Sequence, residues 1–223
     1  MATITKIQLS PQETELVKNT EWILAKQSII KKVYAMLGDV NELMKAEAAP
    51  FNYLFPGKIK TQNGKISKGE NYKQLPYVML DYPAFFDKEN IFAIRTMFWW
   101  GNFFSITLHL SGIFKQQFEI KTPEVFSLLQ KNNFFICVNS DEWQHHFKED
   151  NYLSSSTVSQ EQFEIINQKD FLKISKKIAL SHWDETNDFI INSFREIMQL
   201  LQVSYPDGKK DLLPEFPKAG SGL

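Results

Sequence analysis

Residues 75 to 111, LPYVMLDYPAFFDKENIFAIRTMFWWGNFFSITLHLS, alternate apolar and mixed side chains over three successive runs. Neighbouring side chains on a strand point to opposite faces, so this pattern demands a sheet with one apolar face that must be buried and one mixed face. Strands are expected at about 77 to 82, 91 to 99 and 103 to 111, with another at 114 to 121 after Ser111-Gly112.

Centring a three-residue turn on Trp100-Gly101-Asn102 pairs Trp99 with Phe103, Met97 with Ser105, Arg95 with Thr107 and Ala93 with His109. The alternate pairs are then Phe98 with Phe104, Thr96 with Ile106, Ile94 with Leu108 and Phe92 with Leu110. Shifting the turn by one residue would mix the two sets, a costly slip when one face is buried. If the preceding strand lies beside 91 to 99, Asp81 joins Arg95 and His109 on the mixed face, where Arg95 and His109 are diagonal neighbours about 7 to 8 Å apart. The candidate ligand-binding residues are therefore Arg95, His109, Asp81, Thr107, Trp99 and Phe103. Met79, Met97 and the rings make this face too apolar to stand in water, so a helix, a second subunit or a ligand must cover it. The simplest cover is the N-terminal or C-terminal helix, with Asp81 and Arg95 as an ion pair at the margin.

Both terminal helices are visible in the pattern. Ser10-Pro11-Gln12-Glu13 has the form of a capping box with proline at the first helical position, and Leu16, Ile23, Ile30, Val33 and Leu37 recur at helical spacing. Gly38-Asp39 is a point of bending or breakage, and Pro50 ends the helical pattern. From Ser181 to about Gln202, Trp183, Ile190, Phe194, Ile197 and Leu201 form an amphipathic stripe. Between these ends, 56 to 76 reads as an exposed lysine-rich excursion with a short hairpin around Asn63-Gly64. Thr122-Pro123-Glu124 caps a helix reaching Asn132-Asn133, Phe134 to Val138 is a short strand, and Ser140 caps a short helix over 141 to 148. Ser154 to Ser156 mark a loop, Ser159 and Gln162 form a second capping box, and Phe171, Leu172 and Ile174 suggest a last strand. The expected architecture is an α+β fold, a mainly antiparallel sheet of about five or six strands packed with long N-terminal and C-terminal helices. It is read as one domain over 1–203 and a flexible tail over 204–223, where Pro and Gly recur with little to bury.

Composition excludes several classes. A chain of 223 residues buries roughly 70% of its unfolded surface, and 19 Phe with 5 Trp supply large rings for that core. The net charge of −1 offers no global attraction to phosphate backbones or anionic lipid, so neither nucleic acid nor membrane is an expected partner. No apolar run is long enough to span a bilayer and the start has no leader pattern, which points to a soluble cytoplasmic protein. Cys137, the sole cysteine, lies in FFICV and reads as a buried, inert side chain.

Motifs for chemistry are sparse. Glu142 precedes His145 by three residues and His146 by four, the spacing of a Glu-x-x-His metal unit, but such sites need further ligands and this is the sole copy; no metal and no cofactor is expected. His182, before Asp184 and Glu185, has no partner that the sequence can name. The favoured function is a non-catalytic module that binds a small molecule or a protein partner on the mixed sheet face. Two alternatives remain: a hydrolase-like or metal-dependent enzyme using His109 or His182 with Asp81 or Glu142, and a structural or partner-binding protein. The oligomeric state is open.

Overall fold

A computed structural model of the chain describes residues 7–55, 59, 63–118, 120 and 122–205. Two helices open it. In α1 (Pro11–Lys18) the Ser10 and Glu13 side chains cap each other's backbone, and Asn19 then ends α1 and caps α2 (Thr20–Ala48) through Trp22 N–H. Gly38 lies inside α2 without breaking it, and the helix passes into a 3-10 turn at Pro50 (Ala49–Leu54).

The sheet has seven strands. β1 (Lys65–Tyr72), β2 (Leu75–Phe86), β3 (Ile91–Trp99) and β4 (Phe103–Ser111) form an antiparallel meander. After helices α3 (Gly112–Gln117) and α4 (Pro123–Lys131) come β5 (Phe135–Cys137), β6 (Tyr152–Ser154), helix α5 (Gln160–Ile166) and β7 (Phe171–Ala179). β7 inserts between β4 and β5, giving the order β1-β2-β3-β4-β7-β5-β6. A 3-10 turn (Leu180–Glu185) leads into α6 (Thr186–Val203).

The β3–β4 register matches the expected one pair by pair, from Trp99 opposite Phe103 to Ala93 opposite His109, and β2 places Asp81 opposite Arg95. On the apolar face, Phe92, Ile94, Phe98, Phe104, Ile106, Leu108 and Leu110 meet Val33, Leu37, Val40 and Met44 of α2 and Ile190, Phe194, Ile197 and Leu201 of α6. Capping at Thr122 and the Ser159–Gln162 box occur where the sequence places them.

Four local expectations are corrected. A hairpin turn falls at Lys73-Gln74, both left-handed (φ 48° and 66°), and residues 65–72 of the supposed excursion are strand β1, while the expected turn at Asn63-Gly64 depends on residues 60–62, which lie outside the described part of the chain. A two-residue hairpin turn of this hand normally takes Asn or Gly, and neither stands at 73 or 74 to announce it. Residues 112–117 are helix rather than strand, because Gly112 (φ 56°) turns the chain at the end of β4 and a Cβ there would strike Asn90 and the Glu89 carbonyl. Phe114 then enters the core beside Phe85 and Phe92. Residues 141–148 are not helical: Asp141 accepts from Trp143 N–H in a local turn, while the amides of His145 and His146 go to the Tyr72 hydroxyl. Finally, neither terminal helix covers the mixed face; both pack on the apolar one. Tyr205, the last described residue, is buried against Phe118, and residues 206–223 lie outside the described part of the chain.

Candidate functional site

The cover of the mixed face is the irregular segment 138–151 between β5 and β6. It is pinned at one end by rings and along its length by polar groups. Phe147 stacks on Tyr152 and meets Phe103 and Phe135 edge-on, closing a dry patch with Met79, Met97 and Trp99. Next to this patch, Lys173 of β7 sits opposite His109 and is 1% exposed. Its ammonium donates to the carbonyls of Glu142 (2.7 Å) and Gln144 (2.6 Å), two groups that no helix or strand satisfies. Burial lowers the Lys173 pKa to about 8. The Tyr72 hydroxyl accepts from the amides of His145 (2.7 Å) and His146 (3.1 Å), and Asn151 donates to the His146 carbonyl (2.5 Å).

His109 is 3% exposed beneath this cover, in edge contact with Trp143 and Phe171, and its Nε2 lies 2.9 Å from Glu142 Oε2. Burial, with Lys173 and Arg95 nearby, holds its pKa down to about 2, so the ring is neutral and donates Nε2–H to the carboxylate. Burial raises the Glu142 pKa from its ordinary value. Tyr152 is buried beside them with a strongly raised pKa, and Thr107 shares a hydrogen bond of 2.7 Å with Ser175. Burial also raises the Cys137 thiol, whose Sγ lies 3.5 Å from Asn151 Oδ1, as an inert side chain requires.

All six candidate residues thus lie on one face, but they divide by access. Thr107, His109, Trp99 and Phe103 are buried under the cover. Asp81, itself buried, and the partly buried Arg95 instead line an open cleft of about 590 Å³, together with Asn63, Lys65 and Ser67 beside β2 and the rings of Phe86 and Trp143. Arg95 donates Nε to Asp81 Oδ1 (2.7 Å) and Nη2 to Oδ2 (3.2 Å), and its guanidinium lies 5.6 Å from the Phe86 ring. Nη1 has no hydrogen-bond partner among the described residues. Trp143 and Phe86 are 47% and 41% exposed, so two large rings stand in water at the cleft wall.

Trp143 also borders a second, larger cleft of about 1140 Å³ on its other side, with Glu142, Ser111, Lys115 and Lys169. Of the three lysines that line it, Lys115 is engaged with the carbonyls of Asn167 and Lys169, Lys169 with those of Val138 and Asn139, and Lys88 is exposed at the rim. Among the described residues no three His, Cys, Asp or Glu side chains gather to hold a metal. His182 is not brought to the mixed face: its neighbour Trp183 packs on Phe98 and Phe104 of the opposite one, and His182 pairs with Glu185 at the surface.

Lys173, Tyr72 and Trp143 were not singled out by sequence as parts of this face. For Lys173 the signal existed: in FLKISKKIA, Lys173, Ser175 and Lys177 alternate against Leu172, Ile174 and Ile178, which puts the polar set on the face shared with His109 once β7 is paired to β4. Tyr72 and Trp143 carry no such signal, since their roles arise from the path of an irregular segment. No described helix is long and apolar enough to cross a membrane. No protein-family model, curated protein or solved structure matches this chain, so its function has to be argued from the cleft alone.

Proposed function

We propose that the chain is a small-molecule binding module, and that the cleft between Arg95 and Trp143 takes a flat, singly charged anion such as an aromatic carboxylate. The observation that carries this reading is the Arg95 guanidinium, held in plane by Asp81 with one nitrogen directed to no partner among the described residues, in a cleft walled by exposed rings. Orientation by a carboxylate leaves the guanidinium preorganised, and a ligand carboxylate gains a charge-assisted hydrogen bond without first ordering the side chain. Among the described residues Lys65 and Arg95 face a single carboxylate, Asp81, which suits one negative charge and disfavours a polyanion. Trp143 and Phe86 offer the apolar area that a planar ligand body would cover.

Calorimetric titration with benzoate, with benzamide as the neutral isostere, tests this. Binding of benzoate that is lost in Arg95→Gln and not reproduced by benzamide supports the reading. Equal binding of the two, or none of either, overturns it.

A second reading, acid–base catalysis, is favoured by the 2.9 Å contact between His109 and Glu142, since an enzyme of this kind needs such a pair within reach. Against it weighs the pKa of about 2 at His109, which makes a weak base near neutrality. The pair serves better as an anchor of the 138–151 cover. Turnover of any bound carboxylate derivative that disappears in His109→Gln while binding persists would reverse this ranking.

A further inference from the structure

The N-terminal end of the molecule carries a feature unrelated to the sheet face. From Ile7 to Lys32 no residue is buried, although α1 and the first half of α2 are well-formed, capped helices. The core-facing stripe of α2 begins with Ile29 and Ile30, which pack half-buried on the core, and is fully buried from Val33, so about 13 Å of helix, residues 20–28, extends beyond the packed body. That overhang is not polar. Leu16 is 46% exposed, Val17 61%, Trp22 44% and Leu24 58%. A surface helix with nothing to cover would carry polar residues on every face, and an exposed apolar run of this size marks an interface.

Charge is segregated along the overhang. Its outer part holds Glu13, Glu15 and Glu21 against Lys18 alone, while its inner part holds Lys26, Lys31 and Lys32 with no acid among residues 22–32. At the inner part, Trp22, Ile23 and Ile30 with Lys26, Lys31 and Lys68 of edge strand β1 enclose a groove of about 530 Å³, whose one acid is Glu70. Lys26 reaches Glu70 at 3.7 Å, which leaves Lys31 and Lys68 without an acid of their own in the groove among the described residues.

We infer that the overhang is a dimerisation arm that pairs with the same arm of a second copy of this chain, in antiparallel orientation. The acidic outer part of each arm, with Leu16 and Val17, then lies in the basic, apolar groove of the other. Such a contact is self-complementary about a two-fold axis, so both halves form at once and the assembly closes as a dimer. A parallel arrangement would set Glu against Glu and Lys against Lys. This inference stands apart from the ligand reading, and either can fail alone.

Analytical ultracentrifugation of the full chain tests it. The wild type is expected to be a dimer that dissociates on dilution. Leu16→Asp with Val17→Asp should weaken association at least about tenfold while the thermal unfolding of the body stays intact, because neither side chain is buried. Lys31→Glu with Lys68→Glu makes an acidic arm, Glu15→Lys with Glu21→Lys a basic one. Each variant alone should be monomeric, and an equimolar mixture should restore the dimer. A wild type that stays monomeric at every concentration overturns the inference, as does a dimer indifferent to all these changes. A monomer that instead floats with phosphatidylserine vesicles assigns the arm to membranes and also overturns it.

Discussion

On one side of the sheet, α2 and α6 lay regular apolar stripes across Phe92, Ile94, Phe98, Phe104, Ile106 and Leu108. On the other, the 138–151 segment has no regular structure, and Lys173, Tyr72, Asn151 and the His109–Glu142 pair hold its backbone in place. The first cover is non-directional and tolerant of side-chain detail, since burial scales with apolar area. The second depends on individual donors and acceptors, each costly to leave unpaired once buried. The comparison teaches why the functional candidates lie where they do: polar groups able to recognise a ligand gather on the face whose cover needs them.

Four experiments can break or sharpen that contrast. The largest effect is expected on the helix-covered face, where Phe194→Ala empties a fully buried position and should cost about 3–5 kcal/mol in denaturant unfolding. The loss should be global, with no selective exposure of 138–151. Lys173→Met should cost less, about 2 kcal/mol, because two buried carbonyls lose their donor while the penalty of burying a charge is relieved. Its mark is local: amide exchange across 141–148 should rise well before the sheet opens. Equal exchange in variant and wild type would mean that the Phe147 rings alone hold the cover, and the contrast would fail.

Acid should act on the same polar face. Folded His109 stays neutral down to about pH 2, whereas in the unfolded chain it protonates below about 6.5, so the unfolded state binds more protons in that window. The stability due to neutral His109 is complete above 6.5 and declines as pH falls, by about 1 kcal/mol at about pH 5.5. His109→Gln should flatten that part of the denaturation profile, while His145 and His146, whose pKa values burial also lowers, leave a residual slope. The smallest effect on stability belongs to Arg95→Gln, about 1 kcal/mol, since the pair, although its side chains are only 14% and 10% exposed, lines the open cleft, where the Gln amide and water can take the place of the guanidinium on Asp81. Its effect on benzoate binding should be complete, which separates recognition from folding.

How much of this was legible in the chain depends on the range of the physics. Trp99 opposite Phe103 and Arg95 opposite Thr107 follow from period-two alternation and a three-residue turn, which neighbouring residues specify among themselves. The Ser10 and Ser159 caps are equally local. The turn at Lys73-Gln74 is hidden because it uses no Asn or Gly, and 141–148 has a helical pattern yet is irregular because its amides find partners such as the Tyr72 hydroxyl, far away in the chain. Metal-like spacing at Glu142 and His145 had no meaning once the helix was absent; Glu142 meets His109 instead.

The sequence by itself determined the two unlike sides of the sheet, its central register and the helices that cover the apolar side, since periodicity and caps act within a few residues. Only the tertiary structure decided which segment covers the mixed side, which of Arg95 and His109 remains within reach of a ligand, and that Lys173 and His109 are pressed toward their neutral forms. Those outcomes follow from desolvation and from hydrogen bonds between distant segments, and no local pattern carries them.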